Sequence, residues 1–451
     1  MRHGHWRSSN ILWAPRPELR RLYRIDHHRK NEPGVPKGWE DYHTGEGSHC
    51  PRGHPRQIPI FRTLNLKRKE NAMKPTSEKL NIAMLGHKRI PSNEGGVEVV
   101  VEALSAGMAA LGHSVTCYNR AGHHVSGAEH ELTAGSVYRG IRLITVPSVE
   151  RKGYAAVISS FFAALRSAFG KYDVVHIHAE GPAFFCFLPK LFGKRVIVTV
   201  HGLDWQREKW NGGFAAKFIH MGERSAVRFA DEIIVLSENV RQYFLDTYGR
   251  ATRFVPNGVS APTLESPRLI AEKWGLQKDS YILYLGRIVP EKGETYLIEA
   301  FKRVKTDKKL VIAGGSSDTE RYLRQLRELA AGDDRILFTG FVQGTLKDEL
   351  YSNAYLYCLP SDLEGMPLSL LEAMSYSNCC LVSDIPECTE VVEDKAVSFR
   401  KSNVEDLRQK LQTLCDHPEM VSDYKKNAAG FILNKYGWDD VVEKTLALYR
   451  R

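Results

Sequence analysis

The sequence predicts an α/β protein built from two doubly wound domains, each a parallel sheet covered by helices on both faces. Three observations predict it. The 451 residues exceed what one ordinary hydrophobic core holds and call for two or three domains. From residue 80 onward, apolar strand-like runs alternate with amphipathic helical stretches, the pattern of parallel sheets with crossover helices. A turn-rich break, Pro256-Asn-Gly-Val-Ser-Ala-Pro262, ends one such series, and a second begins after it.

Residues 1–72 differ from the rest. They hold 15 Lys/Arg against 7 Asp/Glu, with seven of the 17 His and seven of the 20 Pro. Such a composition cannot bury enough surface to offset the entropy of ordering, so a disordered basic leader is expected. Met73 is the expected biological start, because an apolar strand, Asn81-Ile-Ala-Met-Leu-Gly86, follows within a few residues. The remaining chain carries 48 Lys/Arg against 46 Asp/Glu. A nearly neutral body, with no aromatic or groove-reading pattern in the basic arm, does not indicate a nucleic-acid partner.

The first series predicts strands at 81–86, 114–119, 139–146, 173–178, 195–200, 231–236 and 252–256, with helices at 96–111, 152–169, 213–230 and 238–247. The second predicts strands near 280–285, 309–313, 335–340, 355–359, 379–383 and 396–399. Helices 293–305, 318–331, 345–352, 367–376 and 403–416 lie between them. The division is then 79–262 and 263–430, with 431–451 a closing helix whose apolar spacing suits packing back on the first domain. Eight cysteines without a CxxC pair suggest reduced thiols in a cytoplasmic protein. No apolar stretch approaches the ~20 residues that span a bilayer, and the N-terminus lacks a signal-peptide core.

The chemistry gathers at strand ends, where open α/β sheets bind ligands. Glu364-Gly-Met-Pro-Leu-Ser-Leu-Leu-Glu372 brackets an expected helix start near Met366, with Pro367 suited to its first position. Glu364 then lies in the preceding loop and Glu372 near the second turn, so both carboxylates reach one ligand across a helix end that favours anions. Gly286-Arg287-Ile-Val-Pro-Glu-Lys292-Gly293 follows the first strand of the second domain, and its fork of donors and its point charge suit a diphosphate. Gly95 and Gly96 precede a helix and permit close backbone approach. They fit a plain connection as well as a ligand loop. His176 and His178 share a strand face, with His176 read as a core histidine, and His201 leaves the strand Val196–Val200. No ligand set has zinc spacing, and there is no Asp-x-Asp pair for a metal-bridged diphosphate.

Together, Gly95-Gly96, His201-Gly202, Pro256-Asn-Gly, Gly286-Arg287…Glu291-Lys292-Gly293 and Glu364…Glu372 resemble the retaining GT-B glycosyltransferases with the E-x7-E motif (glycosyltransferase group 1). The likeness covers about residues 79–450. The opening His87-Lys-Arg-Ile-Pro-Ser-Asn-Glu-Gly-Gly-Val-Glu is most similar to bacterial enzymes of capsule, exopolysaccharide and lipopolysaccharide assembly. The resemblance implies two Rossmann-like domains facing a central cleft, acceptor domain first and nucleotide-sugar donor domain second.

It further implies that Arg287 and Lys292 hold the diphosphate with Gly286, Gly95 and Gly96 around it. Glu372 binds the ribose, Glu364 the transferred sugar, and Gly365, Met366, Pro367 and Leu368 line the sugar and phosphate. Val342 meets the base, and His201 sits near the donor sugar. His178, Glu180, Asp204 and Trp205 are the expected acceptor side. The implied reaction is retaining glycosyl transfer to a saccharide or lipid-linked acceptor, with no cofactor and no metal. An epimerase of the same fold, acting on the same donor, and a non-catalytic nucleotide-sugar binder are the alternatives. The aromatic and basic stretch through Phe161-Phe162, Phe184-Phe-Cys-Phe187 and Lys190–Arg195 offers contact with an anionic membrane.

Overall fold

Two parallel sheets form because each strand is apolar along nearly its whole length, as burial on both faces requires. The computed structural model describes residues 78–92, 95–122, 136–149, 154–206, 213–315 and 320–450. The expected leader, 1–72, lies outside the described residues.

The N-terminal lobe holds β1 (Asn81–Leu85), β2 (Ser114–Arg120), β3 (Val137–Tyr138), β4 (Ile141–Val146), β5 (Val174–His178), β6 (Arg195–Val200), β7 (Glu232–Val235) and β8 (Arg253–Phe254). Its helices are α1 (Gly96–Ala110), α2 (Tyr154–Phe169), α3 (Glu180–Ala183), α4 (Phe187–Leu191), α5 (Gly213–Phe229) and α6 (Glu238–Tyr248). The C-terminal lobe holds β9 (Tyr281–Leu285), β10 (Lys309–Ala313), β11 (Ile336–Gly340), β12 (Leu356–Leu359), β13 (Cys380–Ser383) and β14 (Val397–Phe399). Around them lie α7 (Leu269–Trp274), α8 (Glu294–Phe301), α9 (Glu320–Ala330), α10 (Thr345–Asn353), α11 (Leu368–Ser375), α12 (Pro386–Val392), α13 (Val404–Asp416) and α14 (Pro418–Lys435). A last helix, α15 (Trp438–Tyr449), follows.

The sheet orders are β3-β4-β2-β1-β5-β6-β7-β8 and β11-β10-β9-β12-β13-β14. In each, the chain winds outward from the first strand and then returns to its other side. This creates a crevice between β1 and β5, and another between β9 and β12, where such folds bind ligands.

Residues 139–146 were predicted as a strand, which begins only at Ile141 as β4; Arg139 (φ 49) and Gly140 (φ 80) instead form the turn of an antiparallel hairpin with the unexpected strand β3 before it. Two successive left-handed residues match the right-handed twist of paired strands. Arg139 is an unusual residue for that turn, and no local signal marks it.

The first lobe is completed from far away. α15 lays Val441, Val442, Leu446, Leu448 and Tyr449 into the cluster formed by Val101, Leu104, Met108 and the inner face of β1 and β2. The fit is close, since a Cβ on Gly107 would lie 2.7 Å from Val442. Arg195 Nε donates to the Leu448 carbonyl at 3.0 Å. The chain crosses between the lobes at Val259, whose N–H donates to Tyr436 O at 2.7 Å, so outgoing and returning segments run side by side. Truncating the buried Leu446 to Ala is expected to cost about 2–5 kcal/mol, through lost burial plus the cavity left behind. Denaturant unfolding at unchanged slope measures it.

Candidate functional site

The two crevices face each other through loops of main chain. A Cβ built on Gly365 would lie 1.7 Å from the His201 carbonyl oxygen and 3.3 Å from the Gly202 Cα. The loop after β6 therefore rests directly on the loop after β12, and nothing larger than glycine fits at 365. Asn257 fastens the contact from the side, its Nδ2 donating to Met366 O at 3.1 Å.

That clamp explains a difference in the helix start. Pro367 was expected at the first helical position of a helix beginning near Met366. Instead Pro367 is the cap residue (φ −75, ψ 104) and α11 begins at Leu368. With its carbonyl held by Asn257, Met366 stays outside the helix. The free N–H groups at the start of α11 still face the crevice between the lobes, and Leu368 Cδ1 lies 3.4 Å from the position of a Cβ on Gly96. Gly95 caps α1 in extended geometry. The starts of α1 and α11 thus converge on one region, and two helix N-termini favour an anion between them.

The C-terminal lobe lines its side with charge. Lys292 Nζ and Glu364 Oε1 form an ion pair, both largely buried, and Ser361 Oγ donates to the same carboxylate oxygen at 2.6 Å. Arg287 is exposed on the same loop after β9 that carries Lys292. Two contacts hold that loop against the exit of β12. The Asp362 N–H donates to Glu291 O at 2.9 Å, and a Cβ on Gly293 (φ 72) would strike Pro360 O at 2.1 Å. Glu372 lies one turn further along α11, where Lys347 Nζ donates to Oε1 at 3.0 Å and Tyr351 OH to Oε2 at 3.3 Å. Lys347 and Tyr351 share one face of α10 at i, i+4 spacing, and sequence reasoning passed over both. A cavity of about 320 Å³ opens there between Glu372, Lys347 and Leu368 on one side and Val99, Glu102 and Arg139 on the other. Val342 buries its side chain in the C-terminal core, while Gly286 packs beside the Tyr284 hydroxyl.

The N-terminal lobe contributes neutral groups. His87 follows β1, His178 ends β5 and His201 follows β6, three adjacent strands, and His178 Nδ1 hydrogen-bonds His201 Nε2 at 3.1 Å. His176 is a core histidine, bonded to Tyr449 OH and, at 2.7 Å, to Thr199 Oγ1. Burial pushes His87 down to about 4 and His176 to about 3. It also holds His178 well below the usual range, helped by the neighbouring imidazoles. All three are therefore uncharged at neutral pH.

Two expected acceptor contacts need correction. His178 and Glu180 are fully enclosed, the first against His176 and His201 and the second against α5, so neither side chain is open to a bound acceptor. Ala179 between them takes φ 75, which turns Glu180 inward. Asp204 and Trp205 remain partly exposed on the short 3-10 turn Asp204–Gln206. Among the described residues, no group of three or more His, Cys, Asp or Glu is arranged to hold a metal ion.

One buried acid backs the loop after β9. Glu294, next to Lys292, accepts from Tyr284 OH at 2.8 Å, and that hydroxyl also lies 2.9 Å from the Arg287 carbonyl. Burial raises its carboxyl to about 7. An acid raised in the folded state binds more protons there than when unfolded, so stability declines as pH climbs from about 4.5 to about 7 and stays lower above. Glu294→Gln removes that term. Its melting temperature relative to wild type should rise between those two pH values and then level off, as thermal melts across the range would reveal.

Comparison with known proteins places this geometry among glycosyl-transferring enzymes. Residues 94–261 match the family model "Glycosyltransferase Family 4", and residues 268–431 match "Glycosyl transferases group 1". The alpha-maltose-1-phosphate synthase of Mycolicibacterium smegmatis is 26% identical over 306 residues, 62% of this chain and 79% of that protein. Among solved structures, sucrose-phosphate synthase from Thermosynechococcus elongatus superposes with a TM-score of 0.71 at 21% identity, covering 83% of this chain and 98% of that one. Anabaena HepE in complex with UDP and glucose gives 0.68 at 14%, covering 82% and 98%. At such identities the structures share the two-domain GT-B fold.

Proposed function

We propose that this chain, a glycosyltransferase whose residues 268–431 belong to the glycosyl transferases group 1 family, moves a sugar from a nucleotide diphosphate sugar to a saccharide or lipid-linked saccharide. The transfer retains configuration, needs no metal, and serves bacterial surface polysaccharide synthesis. One observation carries the reading: the starts of α1 and α11 converge, and the Lys292–Glu364 ion pair sits on the loops beside the α11 start at the β9/β12 crevice. The likeness of His87–Glu98 to surface-polysaccharide enzymes supports the pathway. A nucleotide-bound neighbour, the UDP complex of HepE, supports the donor class.

In this reading Arg287, Lys292 and the α11 start receive the diphosphate, Glu372 and Lys347 the ribose, and Glu364 the hydroxyls of the sugar. The bond from the sugar's anomeric carbon to the phosphate oxygen breaks, and the acceptor oxygen bonds to that carbon on the same face. Its proton passes to the departing phosphate. Negative charge grows where the cations and N–H groups are already aimed, which lowers the barrier without rearrangement. Neutral His178, bonded to His201, adds no positive charge beside the cationic sugar ring.

Arg287 is the cleaner test of the site because it is exposed. Removing Lys292 would also strand a buried Glu364 carboxylate and weaken the fold. Arg287→Ala should lower turnover roughly a hundredfold or more with unchanged melting temperature. It should also abolish the thermal stabilisation given by whichever of UDP, GDP, ADP or dTDP protects the wild type. If no diphosphate protects the wild type, the donor reading is lost.

A peripheral membrane position belongs to the same proposal. No helix among the described residues is long and apolar enough to cross a membrane. Yet Phe169 (68% exposed), Leu191 (73%) and Phe192 (48%) stand together on α2 and α4, the two phenylalanine rings 4.5 Å apart edge to face. Phe161 and Phe162 extend the patch, and exposed Arg166 and Lys171 lie on and just beyond α2. Aromatic side chains rimmed by cations suit an anionic lipid surface. Phosphatidylglycerol vesicles at low salt should pellet the wild type but not the Phe169→Ser/Phe192→Ser variant. Equal recovery of both would refute the contact.

A further inference from the structure

The donor site accounts for the carboxylates of the C-terminal lobe but not for an acid pair sealed inside the N-terminal one. Glu180 on α3 and Glu223 on α5 are both fully buried. Their helices cross so closely that a Cβ on Gly222 would lie 1.9 Å from Glu180 O. Glu223 Oε2 accepts from Tyr248 OH at 2.7 Å, Tyr243 OH at 3.1 Å and His220 Nδ1 at 3.3 Å. Glu180 Oε2 accepts a single bond, from the Asp204 N–H at 2.8 Å. The remaining oxygen of each, Oε1, is buried and receives no hydrogen bond, and the two side chains lie within hydrogen-bonding reach of each other across the crossing.

Two ionised carboxylates cannot meet in a dry site, because neither desolvation nor repulsion is offset. One proton resolves both unpartnered oxygens. Three donors converge on Glu223 and only one on Glu180, so the proton is assigned to Glu180, which points it at the Glu223 carboxyl. Burial, then the nearby Asp204 and Glu223, hold the Glu180 carboxyl well above its ordinary range, in agreement with that assignment. The titratable groups facing it are Asp204 on the 3-10 turn, Glu223 and His220 on α5, and Tyr243 and Tyr248 on α6.

The pair's consequence lies three residues away. The Asp204 N–H that Glu180 holds closes the loop His201–Gln206, whose first carbonyl bears against Gly365. We propose that Glu180 and Glu223 share one proton across the α3–α5 crossing, and that Glu180 is thereby a positioning residue that fixes the His201 loop against the donor loop. Loss of the proton at high pH puts two anions face to face, parts the crossing and releases the Asp204 N–H. The inference rests on the proposed function for its catalytic meaning, but the hydrogen-bond coupling itself does not.

Hydrogen exchange at the Asp204 amide in the full chain, corrected for intrinsic pH dependence, tests it. Wild-type protection should fall at least about tenfold as pH rises through the alkaline range. Glu180→Gln should hold it constant, because its amide oxygen accepts from Asp204 while its NH2 donates to Glu223 in place of the shared proton. Glu223→Gln, which donates to Glu180 from the other side, should flatten the profile too. A Glu180→Gln profile that parallels the wild type overturns the shared proton. So does a wild type whose protection does not change with pH. With UDP-glucose as probe donor, kcat should fall with wild-type protection and not in Glu180→Gln. If UDP-glucose is inert with every form, the proposed donor class is weakened, and the exchange profiles alone decide the coupling.

Discussion

Main chain pressed on main chain, Gly365 against His201 and Gly202, is the contact on which the arrangement of this molecule rests. Side chains adjust by rotating, whereas two backbones at contact distance have almost no freedom. The loop that carries Glu364 and the loop that carries His201 are therefore registered to each other as rigidly as strands in a sheet. Asn257 adds a hydrogen bond from a third segment, the turn where the chain leaves the first lobe. Each strand-end crevice would still form without this contact, but the two would not share a ligand.

The electrostatics of the cleft divide along the same seam. The loops after β9 and β12 bring the Lys292–Glu364 ion pair, and the strand ends β1 and β5 of the first lobe bring uncharged imidazoles. Burial is the main cause, opposed at His87 by Glu98 and reinforced at His176 and His178 by the neighbouring imidazoles. Lys292 and Glu364 sit in a largely enclosed place paired with each other.

Much of this was legible in the sequence, for definite reasons. Strands buried on both faces announce themselves as unbroken apolar runs, and strand ends locate crevices, so Arg287, Lys292, Glu364 and Glu372 could be grouped before any coordinates. Long-range contacts were not legible. Nothing local shows that Asn257 would hold the Met366 carbonyl and delay the start of α11 by a residue or two. Nothing near 347 shows that its ammonium would meet Glu372. The inward turn at Ala179, with φ 75, reversed the expected exposure of Glu180. Arg139 in a left-handed turn concealed a hairpin. Each of these depends on a partner remote in the chain or on a backbone state the residue type disfavours.

The packing of α15 on α1 has a bearing on biogenesis. The apolar flank of α1 belongs to the half of the polypeptide that leaves the ribosome early, yet its cover is translated only after the whole second lobe. Throughout that interval Val101, Leu104 and Met108 lack the Val441, Val442 and Leu446 that shield them in the mature protein. A nascent chain with such a sticky flank is a natural client for holding chaperones.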